Sequence, residues 1–401
     1  MKTLAHLGSL AAVLILLAAC SGSGATTTPG AGAMSGSLTI WDSYASGGGS
    51  EGAAMDAVLA KAKTAFPSLT ITRVVIPFSD IFKKVETAWS AGETTPDMFI
   101  APNDHLGDEV RMNIFYGPLD DKLGAAASSF TQISLDGAKV DGKMYEIPES
   151  MKAVSMFYNK STITTPPATL DDLLTLAKAG KHIGIAEYAA NYYNWFVYSA
   201  FGGQIMDTTG KCVASAAGVS DGLAYLKSLK DAGVTFYTDG ASFQGDFKTG
   251  KTDIVIEGPW GTGDFEKALG ANLGIAEIPA GPKGKSLPLS APDGWYINAN
   301  TPNKDLAVQF ALWEVSAAGG EQIFADQAGH LPAVKDATVS DPISKGFAAQ
   351  ILDSSPRPQS KQLSGYWSNF QNAMDSVLQK GTDPVAAVKT ACDAMNAANG
   401  L

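Results

Sequence analysis

Segments patterned as strands alternate with segments patterned as helices along most of this chain, and that alternation limits the fold more than any other feature. Residues 37–41 (SLTIW) form a short β-rich run. Residues 51–66 then place Met55, Leu59, Ala62 and Phe66 at helical spacing, and Pro67 ends that helix. LTITRVVI follows as a second strand, residues 78–91 as a second helix, and residues 97–100 as a third strand after a break at Thr95-Pro96. The pattern returns in the second half, with a helix over 171–179, a strand at HIGIA, a helix over 220–231 and a strand at DIVIEG, then helices over 304–317 and 370–380. Such alternation predicts an α/β fold with mostly parallel sheet. At 401 residues the chain is long enough for two α/β lobes.

Residues 245–252 read GDFKTGKT, a literal match to the phosphate-loop pattern. A phosphate loop leaves a strand and opens a helix, so that the helix N-terminus faces the phosphate. Here the order is inverted, because GKT runs into the strand-like DIVIEG. Gly250 is therefore read as a helix stop ahead of the strand, and nucleotide binding is set aside.

The start of the chain addresses it out of the cytoplasm. Lys2 precedes an apolar segment over residues 7–19, the layout of a secretory signal. The segment ends in Leu17-Ala18-Ala19-Cys20, which resembles a bacterial lipobox, a motif whose cysteine is lipidated and becomes the mature N-terminus. Residues 20–36 are rich in Gly, Ser, Thr and Ala and read as a flexible tether. The reading is an extracytoplasmic protein anchored to the outer face of the membrane through Cys20, or a periplasmic one. Export leaves Cys212 and Cys392, which form a disulfide or stay as thiols. Two cysteines make no zinc cluster, and no metal or cofactor is expected. With 40 acidic and 29 basic residues the net charge is −11, and no basic stripe exists, so no nucleic-acid partner is expected.

FKTGKTDIVIEGPW resembles a segment of the extracellular solute-binding proteins of ATP-binding-cassette (ABC) importers, in the maltose/maltodextrin and oligosaccharide group. SLTIWDSY, TTPDMFIAPNDHLGD, DGKMYEIPESMKAVSMFYNK, NYYNWFVYSAFGG, TPNKDLAVQFALWEV and SGYWSNFQNAMDSVLQKGTDPVAAV resemble further segments of the same group, in the same order, over residues 37–395. The resemblance implies a type II binding-protein fold of two α/β lobes joined by a hinge. Residues 37–150 and 291–345 would form the N-terminal lobe, and 151–290 and 346–401 the C-terminal lobe. It also implies a monomer that binds an oligosaccharide between the lobes, without catalysis, and delivers it to the membrane subunits of an ABC permease.

A sugar presents hydroxyls at its edges and C–H faces above and below, so its site needs aromatic platforms and hydrogen-bonding side chains. Trp260 on the turn after Gly258-Pro259, Trp367 and Trp295 are the candidate platforms, the last two by likeness to family positions. Trp41, at a strand end, reads as core, and Trp195 divides between core and site. By resemblance, Asp104 accepts sugar hydroxyls, with Asn103 and His105 beside it, while Glu51 grips a sugar and Tyr192 matches a family Tyr. Ser43 completes the candidates. Lys152 stands where maltodextrin binders carry a sugar-binding Glu, with Glu149 three residues earlier as a possible substitute. A Lys donates but cannot accept. That departure keeps open a non-sugar or anionic solute, such as a polyol phosphate. A secreted carbohydrate-active enzyme is a remoter alternative, needing a carboxylate pair across a scissile bond.

Overall fold

The computed structural model describes residues 34–44, 50–214 and 218–401. Cys20 and all but the last three residues of the expected tether lie outside them. Met34 is already buried in the core, and the first strand, Gly36–Asp42, begins two residues later.

Two mixed sheets carry the molecule. Across the first run Leu331–Pro332, Ile147–Lys152, Leu289–Ile297, Met98–Pro102, Gly36–Asp42 and Leu69–Val75. Across the second run Leu273–Ala276, Ser155–Asn159, Ile254–Glu257, Ile183–Ala186 and Thr235–Tyr237. The expected helix–strand alternation produces the parallel pairs, Gly36–Asp42 with Leu69–Val75 and Ile254–Glu257 with Ile183–Ala186. The sheets are nonetheless mixed rather than mostly parallel. Leu289–Ile297 runs antiparallel to both its long neighbours, and Ser155–Asn159 runs antiparallel to both of its own. These are strands that lie where the chain passes between sheets, after Lys152 and again between Ala276 and Leu289.

Each sheet has its own core. Met55, Ile100, Trp295, Phe310 and Phe324 belong to that of the first. Phe157, Phe247, Phe265 and Phe347 belong to that of the second, with the two C-terminal helices Ser364–Lys380 and Pro384–Ala398 laid over it. The structure joins Cys212 and Cys392 in a disulfide, Cα atoms 5.4 Å apart and 180 residues apart in sequence. It clips the last helix to the segment around Cys212.

The GDFKTGKT stretch is a helix end. Asp239 caps helix Gly240–Lys248 by accepting from the Ser242 N–H, Gly250 turns the chain with φ +74°, and Ile254–Glu257 follows as a strand. Gly250 thus supplies the left-handed turn that a β-carbon would strain.

Candidate functional site

Where it meets the second lobe, the first sheet carries a linked row of charges. Helix Ser50–Ala65 opens with Glu51, a carboxylate in the first turn that suits the helix dipole. His330 follows helix Glu321–Ala328 and is fully buried, with Nδ1 2.9 Å from Glu149 and Nε2 2.9 Å from Glu51. Phe324 stacks on its ring at 4.9 Å, and Tyr44 meets it edge-on at 5.7 Å. Glu51 also lies 3.5 Å from the Lys152 ammonium, which pairs with Asp293. The row is therefore Glu149, His330, Glu51, Lys152, Asp293, and its acids outnumber its cations by one.

For His330, Glu51, Lys152 and Asp293, burial works against the charge and the pairings work for it. Burial pulls the His330 pKa down, but Glu149 and Glu51 outweigh it and raise the value to about 9, which keeps the ring cationic at neutral pH. Burial lifts Glu51, yet Lys152 and His330 hold it below the usual carboxylate range. Burial lowers Lys152, and Asp293 with Glu51 more than reverse that. For Asp293 burial prevails over Lys152 and the pKa is raised.

The second sheet answers with rings. Trp260 sits on the 3-10 turn Pro259–Gly261, directly after strand Ile254–Glu257. A β-carbon at position 258 would stand 2.1 Å from the indole, so only glycine lets that ring fold back over the backbone. Beneath it, Glu257 accepts from the Tyr193 hydroxyl at 2.9 Å, Gln244 Nε2 at 3.1 Å and the Gly258 N–H at 2.8 Å. Burial pushes Glu257 up to about 7 in spite of these donors. Tyr192, on helix Ala190–Tyr193, lies 6.3 Å from Trp260, ring to ring. Trp367 is held to the same helix through its backbone, because Asn191 Nδ2 donates to the Trp367 carbonyl and the Tyr366 hydroxyl donates to the Asn191 carbonyl.

Two cations join the faces. Lys152 Nζ is 5.5 Å from the centre of the Trp260 ring and 5.7 Å from that of Tyr44. Arg357 is rooted beside Ser290, whose carbonyl accepts its backbone N–H at 2.9 Å. Its guanidinium pairs with Asp104, donates to Asn103 Oδ1 at 3.1 Å, and lies 5.4 Å from the Tyr192 ring and 5.7 Å from Trp367. Burial pulls its pKa down to about 9.

The structure thus brings Glu51, Lys152, Asn103, Asp104, Tyr192, Trp260 and Trp367 together. Other candidates lie elsewhere. Trp295 is a correction: its ring is fully buried against Phe310, and its Nε1 donates to Glu314 Oε2 at 2.7 Å, so it belongs to the core. His105 is turned toward helix Phe78–Ser90, stacked on Phe82 at 4.4 Å with Nδ1 2.8 Å from Glu86. Ser43 is half-buried next to Asp42, whose carboxylate is taken by Arg73 at 2.7 Å. Glu149 is held by His330 rather than offered to the cleft. Trp195 is buried in the second core, and Trp41 lies half-buried against the small cluster around Trp89. Sequence reasoning missed His330, Asp293, Arg357 and Tyr44. Asp293-Gly294 is a pair that turns favour, and the others come from segments with no local signature.

Fixed charges facing flat rings can orient a polyhydroxylated ligand, with hydroxyls toward one wall and C–H faces toward the other. Among the described residues, no group of three or more His, Cys, Asp or Glu is placed to hold a metal ion.

The model of the bacterial extracellular solute-binding proteins matches residues 57–350, and the chain belongs to that family. It is 27% identical to a galactooligosaccharide-binding protein of Bacillus subtilis, over 96% of this chain and 94% of that one. It is 25% identical to a maltooligosaccharide ABC transporter solute-binding lipoprotein of Streptococcus pneumoniae, over 74% of each. Among solved structures it resembles a maltose/maltodextrin-binding domain from Bdellovibrio bacteriovorus bound to maltotriose, with TM-score 0.82 and 22% identity over 91% of this chain and all of that one. A Thermus thermophilus maltotriose-binding protein bound with maltotriose gives TM-score 0.81 and 22% identity, over 90% of this chain and all of that one. The fold is thus the two-lobed type II binding-protein fold, and the chain is a binding protein, not an enzyme.

Proposed function

We propose that this solute-binding protein captures a neutral oligosaccharide of the maltodextrin type between its lobes and presents it to the membrane subunits of an ABC permease. One observation carries the reading: Trp260, Tyr192 and Trp367 on one wall stand opposite Glu51, Lys152 and Asp104 on the other. The rings take the faces of the sugar and the charged groups its hydroxyls. A ligand touching both walls binds the closed arrangement better than the open one, and that difference is what shifts the population. The lobe boundaries expected from the sequence, 37–150 with 291–345 and 151–290 with 346–401, separate Glu51 and Asp104 from Trp260 but cut the first-sheet strand Ile147–Lys152, so we place the first crossing after Lys152.

The anionic alternative rested on Lys152. Its ammonium lies between Asp293 and Glu51. An incoming phosphate would meet those carboxylates as well as the cation, which favours the neutral ligand. We further propose that Cys20 carries the lipid anchor. Among the described residues no helix is long and apolar enough to cross a membrane, and the Streptococcus pneumoniae relative is a lipoprotein by name. A Cys20→Ala variant should then leave the membrane fraction for the soluble one.

The test is a tryptophan fluorescence titration of the tag-free mature protein against maltotriose, a galactooligosaccharide, glycerol 3-phosphate and ATP. Saturable change with a neutral saccharide alone supports the reading. Response only to glycerol 3-phosphate overturns the neutral ligand, and response only to ATP overturns the whole proposal.

A further inference from the structure

Directly beside Glu51 and His330, and two residues past Trp260, the lobes touch along a seam. Helix Thr262–Leu269 belongs to the second lobe through Phe265. Its first residues press against the start of helix Ser50–Ala65 and the end of helix Glu321–Ala328, both packed on the first core. A β-carbon on Gly263 would stand 2.8 Å from Ser50 Cβ and 2.9 Å from the Gln327 carbonyl oxygen. One on Gly329 would stand 2.7 Å from Thr262 Cβ. At the same seam the hydroxyls of Ser50 and Thr262 are buried with no hydrogen-bond partner.

We propose that this seam sets the balance between open and closed lobes. The inference rests on the hinge-closure reading above. Two glycines give the surfaces enough room to meet, so sterics permit closure. Two hydroxyls oppose it, since each is hydrated when the lobes part and stripped of water when they meet, and an unpaired buried hydroxyl is costly. The seam therefore makes closure possible but unfavourable by itself, and leaves the ligand to supply the difference. Apparent affinity scales with the fraction of molecules able to close.

Opposite changes at neighbouring positions should follow. Thr262→Val keeps the shape and removes the hydroxyl, and Ser50→Ala removes the other. Each should tighten maltotriose binding by roughly threefold to tenfold, mainly through slower release. Gly263→Ala should weaken it by about tenfold or more through the clash, although alanine suits a helix interior better than glycine and should not harm the lobe itself. Fluorescence titration and stopped-flow release with maltotriose measure both signs, and far-ultraviolet circular dichroism checks the fold. Small-angle scattering without ligand supplies a second readout, in which Thr262→Val should be more compact than the unsubstituted protein. Weaker binding by Thr262→Val or Ser50→Ala would make those hydroxyls ligand contacts and overturn the proposal. Unchanged binding by Gly263→Ala would also overturn it. A protein that ignores every neutral saccharide defeats the sugar reading, while the ligand-free scattering comparison still decides the seam.

Discussion

The first lobe meets the cleft with charges locked to one another, and the second meets it with rings propped by a buried carboxylate. The difference lies in what each wall needs from the rest of the fold. Charges out of water survive only as a complete set, so Glu149, His330, Glu51, Lys152 and Asp293 stand or fall together. A ring needs only a surface to lie on, and the backbone at Gly258 supplies one for Trp260. Damage to the charged wall should therefore register as stability, and damage to the aromatic wall as affinity.

The sharpest way to break that division is His330→Leu. Removing one partner of a buried charge network costs about 3–5 kcal/mol, so urea unfolding should show a loss of that order. A loss below about 1 kcal/mol would mean the row is not cooperative.

The pH dependence comes next. His330 has its pKa raised from 6.5 to about 9 in the fold. A raised folded value means that its stabilisation is fully present below about 6.5 and is lost as pH rises through 9, on the order of 3 kcal/mol in all. Buried Glu314, raised to about 8, and Glu257, raised to about 7, push in the same direction over a lower window, from 4.5 up to those values, since the unfolded chain releases these protons first. Unfolding free energy should thus fall from about pH 4.5 to 9, and His330→Leu should flatten the part above 6.5. A flat profile in the unsubstituted protein would contradict the cationic imidazole.

On the aromatic wall the order reverses. Trp260→Ala should weaken maltotriose by about 1–3 kcal/mol, in line with the worth of stacking on an aromatic ring, with little change in melting temperature. An equal fall in both would place Trp260 among the structural residues. The smallest effect is expected from Trp367→Phe, about 0.5–1 kcal/mol in binding measured by calorimetry, because a smaller ring still stacks.

The same division explains what could be read in advance. Helices Ser50–Ala65, Phe78–Ser90 and Val219–Asp231, and strands Gly36–Asp42 and Ile254–Glu257, announce themselves through local period and punctuation. Trp260 and Tyr192 sit in short segments whose neighbours mark them. The charged wall is assembled from residues 51, 149, 152, 293 and 330, and no window of sequence contains that set. Strand Leu289–Ile297 was the costliest omission. Its Ser, Pro, Asp and Gly residues speak against a strand, yet all nine residues are buried at the middle of the first sheet. The register shift between Asp293 and Gly294 accommodates that unusual composition. Likeness to a family position put Trp295 among the sugar platforms, whereas it belongs to the core.

The place of that strand has a bearing on how the molecule is made. Met98–Pro102 and Ile147–Lys152 flank Leu289–Ile297 and do not pair with each other. A chain emerging from its N-terminus holds both flanking strands long before their shared neighbour exists, with two open sheet edges of the kind that invites wrong partners. Every strand of the second sheet lies between them and that neighbour, from Ser155 to Ala276. The second core in turn waits for helices that end at Ala398. The first half cannot close until every strand of the second sheet has been made, and the last third of the chain completes both.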